Sequence, residues 1–292
     1  MTHAKEQSIK ERVKKIAEKQ GRTFNDVWQE VVLERWLSRL AKSKYRKNFI
    51  FKGALCLQRY IELQRETRDL DFLLKDLQGS IEDIRKYLGE VSASDIGDGF
   101  SFDSMDVQLL AHTHMQYPGY SVSAIGHLGK TRTKIFIDVG VGDVVKPTEI
   151  TMRLLGTDKA PLFEKDIELW AYPVEFIFAE KLQTAVARSD QNSRMKDYHD
   201  LLCLMWNDAV DIGLVKSAVG ETFSNRGTEL GPIQIKDSEI ETTQNYWNAY
   251  LRTLSDETKK ELSTDFKKII EEVNQFLAKH ALVPGGKNGK ER

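Results

Sequence analysis

The chain has 292 residues, 40% hydrophobic and 30% charged, with a formal net charge of −1. That length supports one large domain or two ordinary ones without a structural metal or disulfide, and near-neutrality excludes a protein that binds polyanions over its whole surface. Two cysteines, Cys56 and Cys203, each in an apolar helical pattern, exclude a disulfide scaffold and predict buried thiols in a reducing compartment.

Residues 5–19 place Ile9, Val13 and Ile16 among charges, a weakly amphipathic helix. Residues 24–41 predict a stronger one, with Thr23 and Asp26 as a loose capping box and a broad apolar stripe from Phe24 to Leu40. Phe49-Ile50-Phe51 reads as extended and leads into the glycine turn Lys52-Gly53-Ala54. Leu55, Leu57, Tyr60, Ile61 and Leu63 then continue with helical character. Asp69 to Leu74 is a strand, and Gly79-Ser80-Ile81-Glu82 starts a helix that runs to about Val91.

From Phe100 to Leu155 the period shifts toward two. Strands are expected at 102–110, 120–125, 133–139 and 150–155, mostly antiparallel by their short connections, with one more near 168–172. At Pro173 a helical pattern returns and continues to about Arg188. Further helices are expected at 193–205 and 212–223, followed by two long ones over roughly 238–254 and 256–281. The organisation is therefore 1–172, a helical domain over 173–282, and a polar, disordered tail over 283–292. The charged stretch 1–20 has no apolar signal region, and no run reaches the ~18 apolar residues of a membrane span, so a cytoplasmic location is expected.

Asp69-Leu70-Asp71 is the strongest chemical signal. In a strand, residues i and i+2 point to the same side, so the two carboxylates can hold one hard cation through oxygen. Just upstream, Lys52-Gly53-Ala54 opens a helix and offers backbone N–H groups to a phosphate. A divalent metal beside a phosphate cradle is the equipment of nucleotidyl transfer. The Asp-x-Asp alone favours two solvated acids on a surface strand; the glycine turn and the downstream motifs reverse that and favour a site.

Three further stretches carry candidates. In Ile137-Asp138-Val139-Gly140-Val141-Gly142-Asp143, Asp138 ends an apolar strand and can complete a three-carboxylate set. Asp143, in a glycine-rich turn, is its competitor, and in a regular strand the two face opposite sides. Lys181 and Arg188 lie seven apart on one helical face and can receive phosphates, although spacing alone fits an ordinary amphipathic helix. Arg194, Asp197 and Asp200 share a face at i, i+3 and i+6. Asp197 can orient Lys181 or a metal-bound water, or simply suit a helix N-terminus. Local basic patches are Lys42, Lys44, Arg46 and Lys47, and separately Lys130, Arg132 and Lys134. His112-x-His114 has no third ligand at zinc spacing, and neither a Gly-x-Ser-x-Gly nor a P-loop motif occurs.

Together, Phe51-Lys52-Gly53-Ala54-Leu55, Arg68-Asp69-Leu70-Asp71-Phe72, Ile137-Asp138-Val139-Gly140 with Gly142-Asp143, Glu180-Lys181-Leu182 with Arg188, and Arg194, Lys196-Asp197 and Asp200-Leu201 resemble the AbiEii/AbiGii-type toxin family, a branch of the polymerase-β-like nucleotidyltransferases. The resemblance covers about residues 49–205. It implies an α+β fold: a small mixed β-sheet nucleotidyltransferase core flanked by helices, with a helical C-terminal domain. It also implies metal carboxylates at Asp69 and Asp71, with Asp138 assisting; a phosphate- or nucleophile-side lysine at Lys181; and a further catalytic acid at Asp197. Nucleotide contacts are expected at Lys52, Gly53, Ala54 and Arg188. Where the family carries Gly-Gly or Gly-Ser, this chain has Gly53-Ala54, which keeps the backbone N–H but has no hydroxyl.

The expected activity is Mg²⁺- or Mn²⁺-dependent transfer of NMP from an NTP to an RNA acceptor, tRNA foremost. The protein would act as the toxin of a bacterial toxin–antitoxin pair in phage defence, with a separately encoded antitoxin that need not bind it stably. A small-molecule nucleotidyltransferase and a non-catalytic nucleotide-binding partner are the alternatives.

Overall fold

The computed structural model describes residues 3–63, 65, 67–110, 119–157, 160–189 and 193–284. His112, His114 and the tail from 285 lie outside them. The chain divides into two compact units. The first comprises Met1–Cys56, Thr67–Gly142 and Pro147–Tyr172; the second comprises Leu57–Glu66, Asp143–Lys146 and Pro173–Arg292.

The first unit is a seven-stranded mixed sheet with helices. Its strands are β1 (Phe49–Lys52), β2 (Asp69–Leu74), β3 (Phe100–Leu110), β4 (Gly119–Leu128), β5 (Thr131–Val141), β6 (Thr148–Arg153) and β7 (Asp166–Ala171). Their order across the sheet is β3-β4-β5-β2-β1-β7-β6. β2 runs parallel to β5 and antiparallel to β1, while the β3-β4-β5 meander and the β6-β7 pair are antiparallel.

The helices of this unit are α1 (His3–Gln20), α2 (Phe24–Lys42) and α4 (Ile81–Ser92). α2 begins where the Thr23 side chain accepts from the Asp26 N–H. α4 begins with a reciprocal capping box between Ser80 and Asp83, which satisfies two otherwise unpaired donors. One sheet face is apolar and well packed: Phe72 meets Phe49, Phe51 and Trp36 at ring-centroid distances of 5.9, 5.7 and 5.7 Å. The buried Arg39 of α2 is matched by Asp98 through two bonds of 2.8 and 2.9 Å and donates to the Phe100 carbonyl at 2.7 Å. An ion buried this deeply is tolerated only because both of its terminal nitrogens are paired.

Two expectations need correction. The helix after the glycine turn, α3, spans only Gly53–Leu57. Beyond it the chain passes into the second unit, where Arg65 has its partner, so tertiary pairing overrides the helical pattern of 58–63. The second unit contains α5 (Val174–Arg188), α6 (Met195–Trp206), α7 (Ile212–Asn225), α8 (Ile240–Leu251), α9 (Asp256–Glu261) and α10 (Phe266–Lys279). The single helix expected over 256–281 is thus two helices. Leu262 turns extended, and Asp265 caps a new start by accepting from the Lys267 N–H. Ser263-Thr264-Asp265 is a capping sequence that the apolar period conceals.

The second unit packs Tyr198 edge-on to Phe266 at 4.9 Å, and the buried Trp247 donates its indole N–H to the Ser263 carbonyl at 2.8 Å. Cys56 and Cys203 are buried free thiols. Among the described residues no helix is long and apolar enough to cross a membrane.

Candidate active site

In the first unit the register brings the acids together. On β2, Leu70 and Phe72 are buried while Asp69 and Asp71 are half-buried, so the two acids share the face opposite the apolar core. Asp71 pairs with Lys52 on β1 and with Asp138 on β5, and Asp138 pairs in turn with Ser121 on β4. Ser121, Asp138, Asp71 and Lys52 therefore form one row across four strands, at the ~4.8 Å strand spacing of a sheet. A second row holds Ser123, Phe136 and Asp69. The Lys52 ammonium lies 5.1 Å from the centre of the Tyr172 ring and 3.9 Å from where a Cβ on Gly140 would stand.

Gly53 is fixed by two independent constraints. Its φ is +72°, and a Cβ there would stand 2.0 Å from the Asp71 carboxylate Oδ2. No side chain fits between this backbone and that carboxylate. α3 is little more than one turn, so its dipole is small; what it offers an anion is the N–H groups at its start. Ala54 is buried.

Among the described residues no three His, Cys, Asp or Glu side chains converge closely enough to hold a metal ion alone. The same-face carboxylates of adjacent strands are nonetheless hard oxygen donors. Mg²⁺ typically takes one or two protein carboxylates and fills its shell with water and substrate phosphate, so this donor set fits it.

Lys181, Asp197 and Asp200 belong to a separate, buried network in the second unit. The Lys181 ammonium lies 3.1 Å from Asp197 and 2.6 Å from Asp200. Arg65 grips Asp200 through two bonds of 2.7 and 2.6 Å, and Arg194 donates to Asp197 at 2.8 Å. Burial alone raises a carboxyl's pKa. Here the positive charges of Lys181 and Arg194 outweigh it and hold Asp197 down to about 2. Burial likewise disfavours a charged Lys181, but Asp200 and Asp197 reverse that and raise its pKa. Lys181 is thus a fixed cation and Asp197 a fixed anion at working pH; neither exchanges protons. Arg188, in the last turn of α5, is half-buried; burial and then the like charge of Arg194 lower its pKa.

Asp143 sits in the second unit and accepts from Nε and Nη2 of Arg226 at 2.9 Å; Arg226 Nη2 also reaches Glu180 at 2.9 Å. The acid competing with Asp138 is therefore a clamp between chain segments. The sequence reading missed Arg65 and Arg226 altogether. Each is an isolated arginine in a polar stretch, with no local feature that names its distant partner.

The first basic patch is weaker than its sequence suggests. Lys44 pairs with Glu90 at 2.8 Å and Arg46 with Glu149 at 2.7 Å, because α4 and β6 bring acids alongside. Arg132 and Lys134 on β5 are exposed.

A family model described as the nucleotidyl transferase AbiEii toxin of type IV toxin–antitoxin systems matches residues 35–279, and the chain belongs to that family. Of the curated proteins, none matches. Among solved structures, the fold is similar to JHP933 of Helicobacter pylori, at 14% identity and a TM-score of 0.49, covering 89% of this chain and 96% of that one. A candidate nucleotidyltransferase of H. pylori is similar at 12% identity and 0.49, covering 88% and 98%.

Proposed function

From its place among the AbiEii nucleotidyltransferase toxins, a family whose members are paired with antitoxins, we propose that this chain transfers NMP from an NTP to a hydroxyl of RNA, tRNA foremost, with Mg²⁺ or Mn²⁺. The observation that carries the reading is the row Asp138, Asp71 and Lys52, with the Gly53 backbone pressed against the Asp71 carboxylate.

Asp69 and Asp71, assisted by Asp138, would hold the metal. When bound, it polarises the phosphate oxygens and eases deprotonation of the attacking hydroxyl. The Gly53 and Ala54 N–H groups and Lys52 bind the triphosphate and offset its charge. The acceptor oxygen bonds to the α-phosphorus, the bond to the β-phosphate oxygen breaks, and pyrophosphate leaves. The hydroxyl proton passes to solvent water. Within the second unit, Asp197 holds Lys181 as a positive charge, and Lys181 with Arg188 on the same helix are candidate phosphate contacts.

A small-molecule acceptor is the second reading, favoured by the pairing of Lys44 and Arg46 with acids. The deciding experiment incubates the protein with total RNA, each α-labelled NTP and Mg²⁺. Label is expected in RNA and lost by about 10³-fold or more in Asp71→Ala, the scale of removing a principal electrostatic group of a transition state. Label that persists in Asp71→Ala overturns the site. Label absent from RNA with every NTP, but found in a small-molecule extract, moves the assignment to the second reading.

A further inference from the structure

β5 presents Arg132, Lys134, Phe136 and Asp138 at every second position, all on the side of the Asp69–Asp71 pair. Their intervening neighbours Ile135, Ile137 and Val139 are fully buried on the other side. Phe136 is 41% exposed. A phenyl ring left this open stands in the third strand of a seven-stranded sheet, in register with Asp69, where it offers a face to a ligand. The Lys134 ammonium lies 5.0 Å from its ring centre, which fixes both side chains on one side.

The strand is held from behind. Trp28 donates its indole N–H to the Thr133 hydroxyl at 2.9 Å, and Gln29 donates to the Lys134 carbonyl at 3.2 Å. Beyond the neutral Ser121 and Ser123 of β4, the outer strand β3 carries Asp103 and Asp106. Asp103 is engaged by His127 at 3.0 Å and Asp106 by Gln108 at 2.8 Å. An anion on this face is thus drawn to β5 and repelled from β3. Alternate side chains of a strand stand about 6.7 Å apart, comparable with one nucleotide step of an extended single strand. Cations followed by an open aromatic ring are the usual elements of single-strand binding.

We infer that β5 is the acceptor track. A single-stranded RNA 3′ end lies along it, with phosphates on Arg132 and Lys134 and its last base stacked on Phe136, so that the terminal hydroxyl arrives beside Asp138 and Asp69. This rests on the transfer to RNA proposed above and adds the strand and side chains that seat the acceptor.

The test uses the full chain and two probes. The first is a short fluorescent single-stranded RNA, read by anisotropy; the second is the same RNA with a 3′-terminal 4-thiouridine for photocrosslinking. The crosslink is expected in the β5 peptide. Phe136→Ala should raise the RNA Kd about tenfold, with Phe136→Trp restoring it. Arg132→Glu with Lys134→Glu should weaken binding and flatten its salt dependence by roughly 0.7 in log–log slope per phosphate lost. NTP affinity should not change in any of them.

Unchanged RNA binding in both the alanine and the double variant, or a crosslink elsewhere, overturns the track. So does an equal loss of NTP affinity in Phe136→Ala, which would give the ring to the nucleotide base. If the parent labels RNA while these variants bind normally, only the track fails. If the parent binds the probe through β5 yet labels no RNA, only the proposed activity fails.

Discussion

Asp71 and Asp200 are both aspartates beside a lysine, in elements with buried neighbours, yet they are arranged for opposite ends. Asp200 is 0% exposed and accepts from Lys181 and from Nε and Nη2 of Arg65, so its charge is cancelled inside the protein. Asp71 is half-buried on an open sheet face, with another carboxylate on the next strand and a backbone too close for any side chain. A buried charge must be paired to exist at all, and once paired it holds segments together. Like charges gathered at a partly wet surface repel, and that repulsion is relieved by a cation. The same residue type thus supports a scaffold in one unit and, on the proposed function, serves chemistry in the other.

Substitutions at these positions should therefore separate stability from activity. The largest stability effect is expected from Asp200→Ala, which removes the buried carboxylate that Arg65 and Lys181 share. A loss of about 3–5 kcal/mol is expected in denaturant unfolding of the second unit, whereas Asp71→Ala should unfold as the parent does. An Asp200→Ala protein as stable as the parent would remove the scaffold role.

Gly53→Ala should do the reverse. It adds one methyl where Asp71 already stands, at a φ of +72°, and should lower transfer by about a hundredfold, the cost of misplacing a reacting group by an ångström. A variant with full activity would show that the tight fit against Asp71 has no role.

Acid titration sharpens the comparison next. The folded pKa of Asp197, about 2, lies below its unfolded value of about 3.9, so its stabilisation is complete above pH ~4 and is lost as pH falls toward 2. On the order of 2 kcal/mol is at stake. Asp197→Asn should lose that part of the acid dependence, seen as a flatter stability profile between those pH values.

The smallest effect is expected from Lys44→Ala with Arg46→Ala. Each removes an exposed or half-exposed ion pair, so unfolding should shift by under about 1 kcal/mol. RNA binding should change less than on substituting Arg132 and Lys134; a greater change would return the acceptor to the first patch.

Several features were legible residue by residue. Alternation of acid and apolar side chains gave β2 its limits at Asp69 and Leu74, and the Phe24–Leu40 stripe gave α2. Lys52-Gly53 before an Asp-x-Asp strand, and the family resemblance built on these motifs, named the enzyme class. These are local signals: strand period, helix period, and a glycine where nothing larger fits.

What only the tertiary structure decided is which charges meet. Nothing near Arg65 points to Asp200, 135 positions along the chain, or near Arg226 to Asp143. Nothing in the run Lys42 to Lys47 shows that Glu90 and Glu149 come alongside. The single helix read over 256–281 and the overlong helix after Gly53 failed for a related reason, since apolar spacing cannot tell where a cap or a distant partner ends an element. Sequence fixes the periodicity of each segment because side-chain direction follows backbone geometry within a few residues. Whether a charge is cancelled or left facing water depends on elements far apart in the chain, and that is set only when they pack.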